Sequence, residues 1–236
     1  MRVALLHGFA GDPRAWDGVI AAWPRATDEL LAVALPGHGG GDVQPGWDAN
    51  LEVVGRAVAA ARADAVVGYS LGARVALGLV VTGRAPRAAL ISVNAGIADA
   101  DRPARRAQDA RWAELLRERG VAAFADAWQA QPLFATQARA AADVRAARRA
   151  RRLALDPAQL ARSLDAMGLA AMPDYRDAVR RMQPPPPLVV GADDSKFVAI
   201  ARALALPDTH ALAASGHDPT LEQPVALAQL LAKLLR

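Results

Sequence analysis

Ser70 stands at the centre of Gly68-Tyr69-Ser70-Leu71-Gly72, a G-x-S-x-G pattern. A serine hydroxyl attacks, or takes a proton, only when a neighbouring base accepts its own proton, and that base needs a third group to orient it. Histidines occur at 7, 38, 210 and 217. In chains built around this pattern the order is serine, acid, histidine. His217, in Ser215-Gly216-His217 just beyond the last apolar run, has the place of the base. His210 lies inside that run and reads as a structural or surface residue. His7 precedes Gly8 at the end of the first run, where it shapes a loop, and His38 belongs to the turn Leu35-Pro36-Gly37-His38-Gly39. The acid should follow the run Leu188–Val190. Asp193 and Asp194 both stand there, and spacing does not separate them. Two backbone N–H groups would hold a developing oxyanion: that of Leu71, directly after the serine, and that of Phe9, directly after His7-Gly8.

These residues need a scaffold that delivers them to one edge. Short apolar runs recur at Val3–Leu6, Leu30–Leu35, Ala65–Val67, Ala88–Val93, Leu188–Val190 and around His210–Ala213, each bounded by Gly, Pro or Asp. Helical segments such as Leu51–Arg62 and Leu71–Val81 lie between them. Buried parallel strands alternating with helices are the natural reading. Ser70 then sits on the tight turn between a strand and a helix, at a helix N-terminus whose partial positive charge favours an anion. The fold expected is an α/β-hydrolase fold: a mostly parallel sheet flanked by helices, with an inserted helical cap. Strand runs vanish over residues 100–183, where Trp112, Leu115, Leu116, Val121, Phe124 and Trp128 follow helical spacing. The expected division is therefore a core of residues 1–99 and 184–236 with the cap between them. A β-hairpin usually precedes the first strand of this fold. Here that strand begins at residue 2, so the hairpin is expected to be absent or to lie upstream of the start.

Composition narrows the chemistry. The 236 residues hold no cysteine, which excludes disulfides, thiolate metal sites and a cysteine nucleophile. The scattered histidines form no metal motif, and no G-x-G-x-x-G opens a helix, so no metal and no cofactor are expected. No run reaches the length of a membrane span or of a secretory signal, and a cytoplasmic enzyme is the default. Nearly all the basic residues are arginine, lysine appearing only at 196 and 233, and the net charge is +4. A genome biased toward Arg and Ala codons accounts for most of them. No aromatic-interleaved basic stripe points to nucleic acid. Arginine forks suit planar carboxylates, however, and Arg74 stands one helical turn beyond Ser70, where both can border one pocket.

Four motifs together resemble one family: His7-Gly8-Phe9-Ala10-Gly11-Asp12 with Trp16, Leu35-Pro36-Gly37-His38-Gly39-Gly40, Gly68-Tyr69-Ser70-Leu71-Gly72 with Arg74, and Asp194-Ser195-Lys196-Phe197. Arg105-Arg106, Asp109, Trp112, Phe124, Trp128 and Pro132-Leu133-Phe134 add a matching cap. The chain resembles, over essentially its whole length, the 2-succinyl-6-hydroxy-2,4-cyclohexadiene-1-carboxylate synthases, the MenH enzymes of menaquinone biosynthesis. The resemblance implies a lyase that removes a proton from a succinyl-bearing cyclohexene and expels pyruvate, with the serine as base. It aligns the acid with Asp194, and it aligns Tyr69, Arg74, Arg105 and Trp128 with residues that hold a polycarboxylate substrate. The chain departs from the family at Ala34, where Asp is usual, at Ala73, where Gly is usual, and at Thr220, where a second histidine is usual. The alternative is a serine hydrolase of ester, thioester or carbon–carbon bonds that acts on a carboxylate-bearing substrate. A non-enzymatic binding protein of this fold would have no need of an intact serine, base and acid.

Overall fold

The computed structural model describes residues 1–236. Six strands, β1 (Arg2–Leu6), β2 (Glu29–Val33), β3 (Ala65–Tyr69), β4 (Ala88–Ile91), β5 (Leu188–Gly191) and β6 (Thr209–Leu212), form one sheet in the order β2-β1-β3-β4-β5-β6. Every neighbouring pair is parallel. The central strands are buried on both faces, which is why they read as continuous apolar runs rather than as alternation.

Helices cover both faces. On one side α2 (Gly46–Ala60), α3 (Leu71–Val81), α7 (Arg176–Arg181) and α8 (Ser195–Leu204) enclose the larger core, in which Leu6, Leu51, Leu77, Leu79 and Leu90 are almost wholly buried. On the other, α1 (Asp17–Ala21) and α10 (Pro224–Leu234) bring Val19, Leu227 and Leu231 against Val3, Leu5, Val67 and Ile91. No helix is long and apolar enough to cross a membrane.

Several element bounds differ from the expectation for identifiable reasons. The second strand stops at Val33 rather than Leu35, because Leu35 leaves the sheet to fill the core ahead of the Pro36-Gly37 turn. The fourth stops at Ile91 rather than Val93, because Ser92 adopts φ +49. Helix α2 begins five residues early, at Gly46, where the buried Asn50 amide donates to the carbonyls of Gln44 and Gly46 and so fastens its first turn.

Between β4 and β5 lie α4 (Arg102–Gln129), a 3₁₀ segment Pro132–Arg139, α5 (Ala142–Leu153) and α6 (Pro157–Met167). Gly120, at φ +72, breaks α4 into two helical stretches, so that Phe124 can turn inward. A small core of Ala113, Leu116, Phe124, Leu160, Ala161 and Leu164 joins α4 to α6 and touches Ala10 below. Within the stretch read as the cap, α7 packs differently from the rest: Val179, with Tyr175 just before it, is buried in the large core beneath α3. Helix α5 buries none of its residues.

Candidate active site

The turn from β3 into α3 is possible only without side chains at two places. A Cβ on Gly68 would lie 2.2 Å from the Gly72 carbonyl oxygen, and one on Gly72 would lie 2.1 Å from that of Leu6. Between them Ser70 is held at φ +53, a left-handed conformation that non-glycine residues rarely adopt. The strain lifts its hydroxyl out of the turn. The Ser70 Oγ lies 3.2 Å from His217 Nε2, and His217 Nδ1 lies 2.8 Å from Asp194 Oδ2. Both the His217 and Asp194 side chains are only 3% exposed. A dry carboxylate on Nδ1 fixes the tautomer whose Nε2 can accept the serine proton.

The two neighbouring carboxylates point apart. Asp194 faces inward, and its other oxygen accepts from the Phe197 N–H, which caps α8. Asp193 faces outward and pairs with Arg139 of the 3₁₀ segment. His217 is fixed through its backbone as well. The Ser92 hydroxyl donates to the His217 carbonyl at 2.9 Å, while Glu222 accepts from the N–H groups of Gly216 and Asp218 on either side.

The Phe9 N–H donates to no group of the protein, and the Leu71 N–H opens α3, where no intrahelical acceptor exists. The loop carrying Phe9 is shaped by two buried imidazoles. His7 Nδ1–H donates to the Gly8 carbonyl, and its Nε2 accepts from the Leu35 N–H. His38 Nδ1–H donates to the Pro36 carbonyl, and its Nε2 accepts from the Ala10 N–H. Burial lowers His7 to about 4. Burial, with the charge of His7, lowers His38 to about 3. Both rings are therefore neutral and serve as bidentate spacers. Tyr69 packs beneath Gly8 and lies 5.6 Å from the His217 ring, centre to centre; burial raises its phenol above the usual range.

Above Ser70 opens a cleft of about 1220 Å³, counting its mouth. It brings together every residue expected at the site except Asp194, which lies behind His217: Phe9, Tyr69, Ser70, Leu71, Arg74, Arg105, Trp128 and His217 all line it. One Arg74 nitrogen donates to the Met167 carbonyl at 2.8 Å. Burial, reinforced by the charge of Arg105, disfavours the protonated form of Arg74, while Asp109 opposes this. Arg105 Nε straddles the Asp109 carboxylate at 2.9 and 3.0 Å. Two guanidiniums thus share one buried carboxylate, which leaves a net positive wall. Trp128 stacks on Phe124 at 5.2 Å and meets Phe9 edge-on at 5.3 Å, so it both anchors the aromatic floor of the cap and lines the cleft.

The sequence reading overlooked two further arginines. Arg148 and Arg152, one turn apart on α5, also line the cleft. Arg152 donates to the Ala10 carbonyl at 3.2 Å and has no carboxylate partner; burial and the charge of Arg148 lower it to about 10. The signal that could have found them is their i, i+4 spacing. Their many arginine neighbours hide it. Thr220, where the resembling family carries a second histidine, donates its hydroxyl to Asp218 at 2.6 Å.

A serine, imidazole and carboxylate at the C-terminal edge of a parallel sheet, with two free N–H groups beside the serine, define a serine enzyme of the α/β-hydrolase class. Residues 3–230 match the model of the alpha/beta hydrolase family. A 2-succinyl-6-hydroxy-2,4-cyclohexadiene-1-carboxylate synthase from Klebsiella pneumoniae (strain 342) is 36% identical, covering 99% of this chain and 93% of the relative. The synthase of that name from Enterobacter sp. (strain 638) is 35% identical over 99% of this chain and 91% of its own length. Among solved structures, MenH from S. aureus superposes with a TM-score of 0.91 at 26% identity, covering all of this chain and 93% of that one. A thermophilic esterase from Thermogutta terrifontis shares the fold, with a TM-score of 0.83 at 22% identity. The chain belongs to the 2-succinyl-6-hydroxy-2,4-cyclohexadiene-1-carboxylate synthase family of the α/β-hydrolases.

Proposed function

We propose that the chain is a lyase that eliminates pyruvate from 2-succinyl-5-enolpyruvyl-6-hydroxy-3-cyclohexene-1-carboxylate, giving 2-succinyl-6-hydroxy-2,4-cyclohexadiene-1-carboxylate in menaquinone biosynthesis. The observation that carries this reading is the pairing of an intact Ser70–His217–Asp194 relay with a cleft whose roof and side are arginine. A polycarboxylate needs such a wall, and a neutral ester has no use for it.

In this reading Ser70 passes its proton to His217 Nε2 and takes a proton from a ring carbon of the substrate. The electrons of that C–H bond form a ring double bond from carbon 2 to carbon 3, the double bond already at carbon 3 shifts to carbon 4, and the carbon–oxygen bond to the enolpyruvyl group at carbon 5 breaks. The departing enolate takes up a proton from the imidazolium and ends as pyruvate. Asp194 stabilises the imidazolium while it lasts. The N–H groups of Phe9 and Leu71 hold charge that builds on the substrate's carbonyl oxygen. Arg74 and Arg105 bind carboxylates, Trp128 packs against the ring, and Tyr69 props the loop beneath it. The substrate is a small molecule, and neither nucleic acid nor a membrane takes part.

The test is a coupled pyruvate-release assay with the substrate generated in situ, run beside p-nitrophenyl acetate. Pyruvate release should fall about a thousandfold or more in Ser70→Ala, with the fold intact. Ester cleavage without pyruvate release would instead support the hydrolase reading.

A further inference from the structure

Four arginines of α5 share one face of the helix. Arg145, Arg148, Arg149 and Arg152 stand at i, i+3, i+4 and i+7, and all four line a second cavity of about 1010 Å³, counting its mouth. Ser70, His217 and Asp194 do not border it. The rest of its lining is mostly small and apolar: Ala138, Ala142 and Ala146, with Phe134 and with Leu221 of the short helix α9 (Pro219–Glu222). No aspartate or glutamate lines it.

Like charges one turn apart repel, so α5 gains nothing from such a face on its own. The charges are only half compensated. Arg149 meets Asp126 at 2.6 Å in an exposed pair, and Arg148 meets Asp218 at 2.6 Å in a buried one. Arg145 and Arg152 have no carboxylate partner. Arg145 donates through Nε to the Ala140 carbonyl, and Arg152 donates to the Ala10 carbonyl and the Gln129 side chain. A guanidinium carries five N–H donors, so both keep donors for a ligand.

The cavity also shares a wall with the active-site cleft, since Phe134, Gln137, Arg148 and Arg152 line both. An anion that Arg152 holds from the cleft side is one side chain away from the outer cavity. Elimination makes two anions from one, inside a cleft walled by Arg74 and Arg105. The charges that capture a polycarboxylate also retain its products. Rival guanidiniums beyond the shared wall relieve that hold, because a planar carboxylate can pass from one fork to the next without losing its cation.

We propose that the outer cavity is a second anion site, which receives the small 2-oxo carboxylate released by elimination as Arg148 and Arg152 pass it across the shared wall to Arg145 and Arg149. Its use by the leaving group rests on the elimination reading; the presence of a carboxylate site there does not.

The experiment titrates sodium pyruvate into the full chain and follows the arginine Nε–H signals by ¹⁵N-correlated NMR. Arg145 and Arg149 are identified by the signals missing from Arg145→Gln and from Arg149→Gln. Both signals should shift and saturate with pyruvate, and should do so equally in Arg74→Met, where the cleft wall is weakened. The double variant Arg145→Gln/Arg149→Gln should weaken pyruvate about tenfold, both in the titration and as an inhibitor of turnover, while kcat/KM for the substrate stays within about threefold. Ala146→Phe, which fills the cavity and removes no charge, should do the same. The proposal fails if pyruvate moves only the signals of Arg74 and Arg105, or if sodium chloride at the same concentration reproduces the shifts. It fails as well if the double variant lowers kcat/KM as much as it weakens pyruvate, since the arginines would then serve substrate capture. Should the wild type release no pyruvate, the elimination reading falls, and the titration still decides whether the cavity holds a carboxylate.

Discussion

The two halves of the active site are built by opposite means. Below, Ser70, His217 and Asp194 rise from a sheet packed on both faces with aliphatic side chains, and their geometry is set by close packing and backbone hydrogen bonds. Above, the cap presents arginines on α4 and α5 and is fastened to the core by Arg148–Asp218, Arg151–Asp12 and Arg139–Asp193. Apolar burial is insensitive to where a small charge sits, so it suits a fixed catalytic relay. Ion pairs exchange partners, so a surface held by them can take up an anionic substrate and release an anionic product. The lower half is made to stay and the upper half to respond.

Two adjacent carboxylates of the lower half separate the roles most sharply, Asp194 in the relay and Asp193 tethering the cap through Arg139. Asp194→Asn should lower kcat about a thousandfold, because the imidazole loses both its orienter and its counter-charge. Asp193→Asn removes only a cap tether and should stay within about threefold of wild type. Steady-state pyruvate release decides, and equal losses would erase the distinction.

Acid should attack the lower half first. His7 and His38 are held neutral down to about 4 and about 3, against 6.5 for the free side chain. Below pH 6.5 the unfolded chain therefore binds protons that the folded chain refuses. Stability is full above that pH and falls as pH drops toward 4, by about 1.4 kcal/mol per unit for each ring. Urea midpoints measured from pH 7 to pH 4.5 should show the decline, and a flat profile would mean that the rings are not buried as neutral spacers.

Packing separates the halves again. Leu90, fully buried in β4, should cost about 3 kcal/mol when replaced by alanine. Val144 on α5 is 45% exposed, and its replacement by alanine should cost less than about 0.5 kcal/mol. Thermal unfolding of the two variants reads the contrast directly. Arg74 marks the place where the halves meet, a core arginine donating to the Met167 carbonyl at the end of α6. Arg74→Met should reduce kcat/KM by about thirtyfold, equivalent to about 2 kcal/mol for a charged hydrogen bond lost to the substrate. An unchanged value would remove it from the substrate's binding wall.

The lower half was largely legible in the sequence, because its requirements are local. Gly68 and Gly72 are glycines for a steric reason that acts within five residues, and the helix they introduce runs over Leu71–Val81 as its composition indicates. The choice between Asp193 and Asp194 needed more than spacing. What separates them physically is the cap on α8, since only Asp194 accepts from the N–H three residues on. The upper half was harder to read. Arg145, Arg148, Arg149 and Arg152 share one face of α5 opposite an apolar stripe of Ala146, Ala150 and Leu153, and the usual rule would turn that stripe, not Arg148 and Arg152, toward the protein. Helix α7 was hidden for a related reason: one buried residue in six, Val179, carries no visible period.

Turnover in H₂¹⁸O with mass analysis of the ring product separates elimination from hydrolysis directly. Elimination gives one pyruvate per ring product, a ring product free of ¹⁸O, and loss of both products in Ser70→Ala. An ¹⁸O atom in a carboxyl group of the product would show that water completes the reaction, and would contradict it.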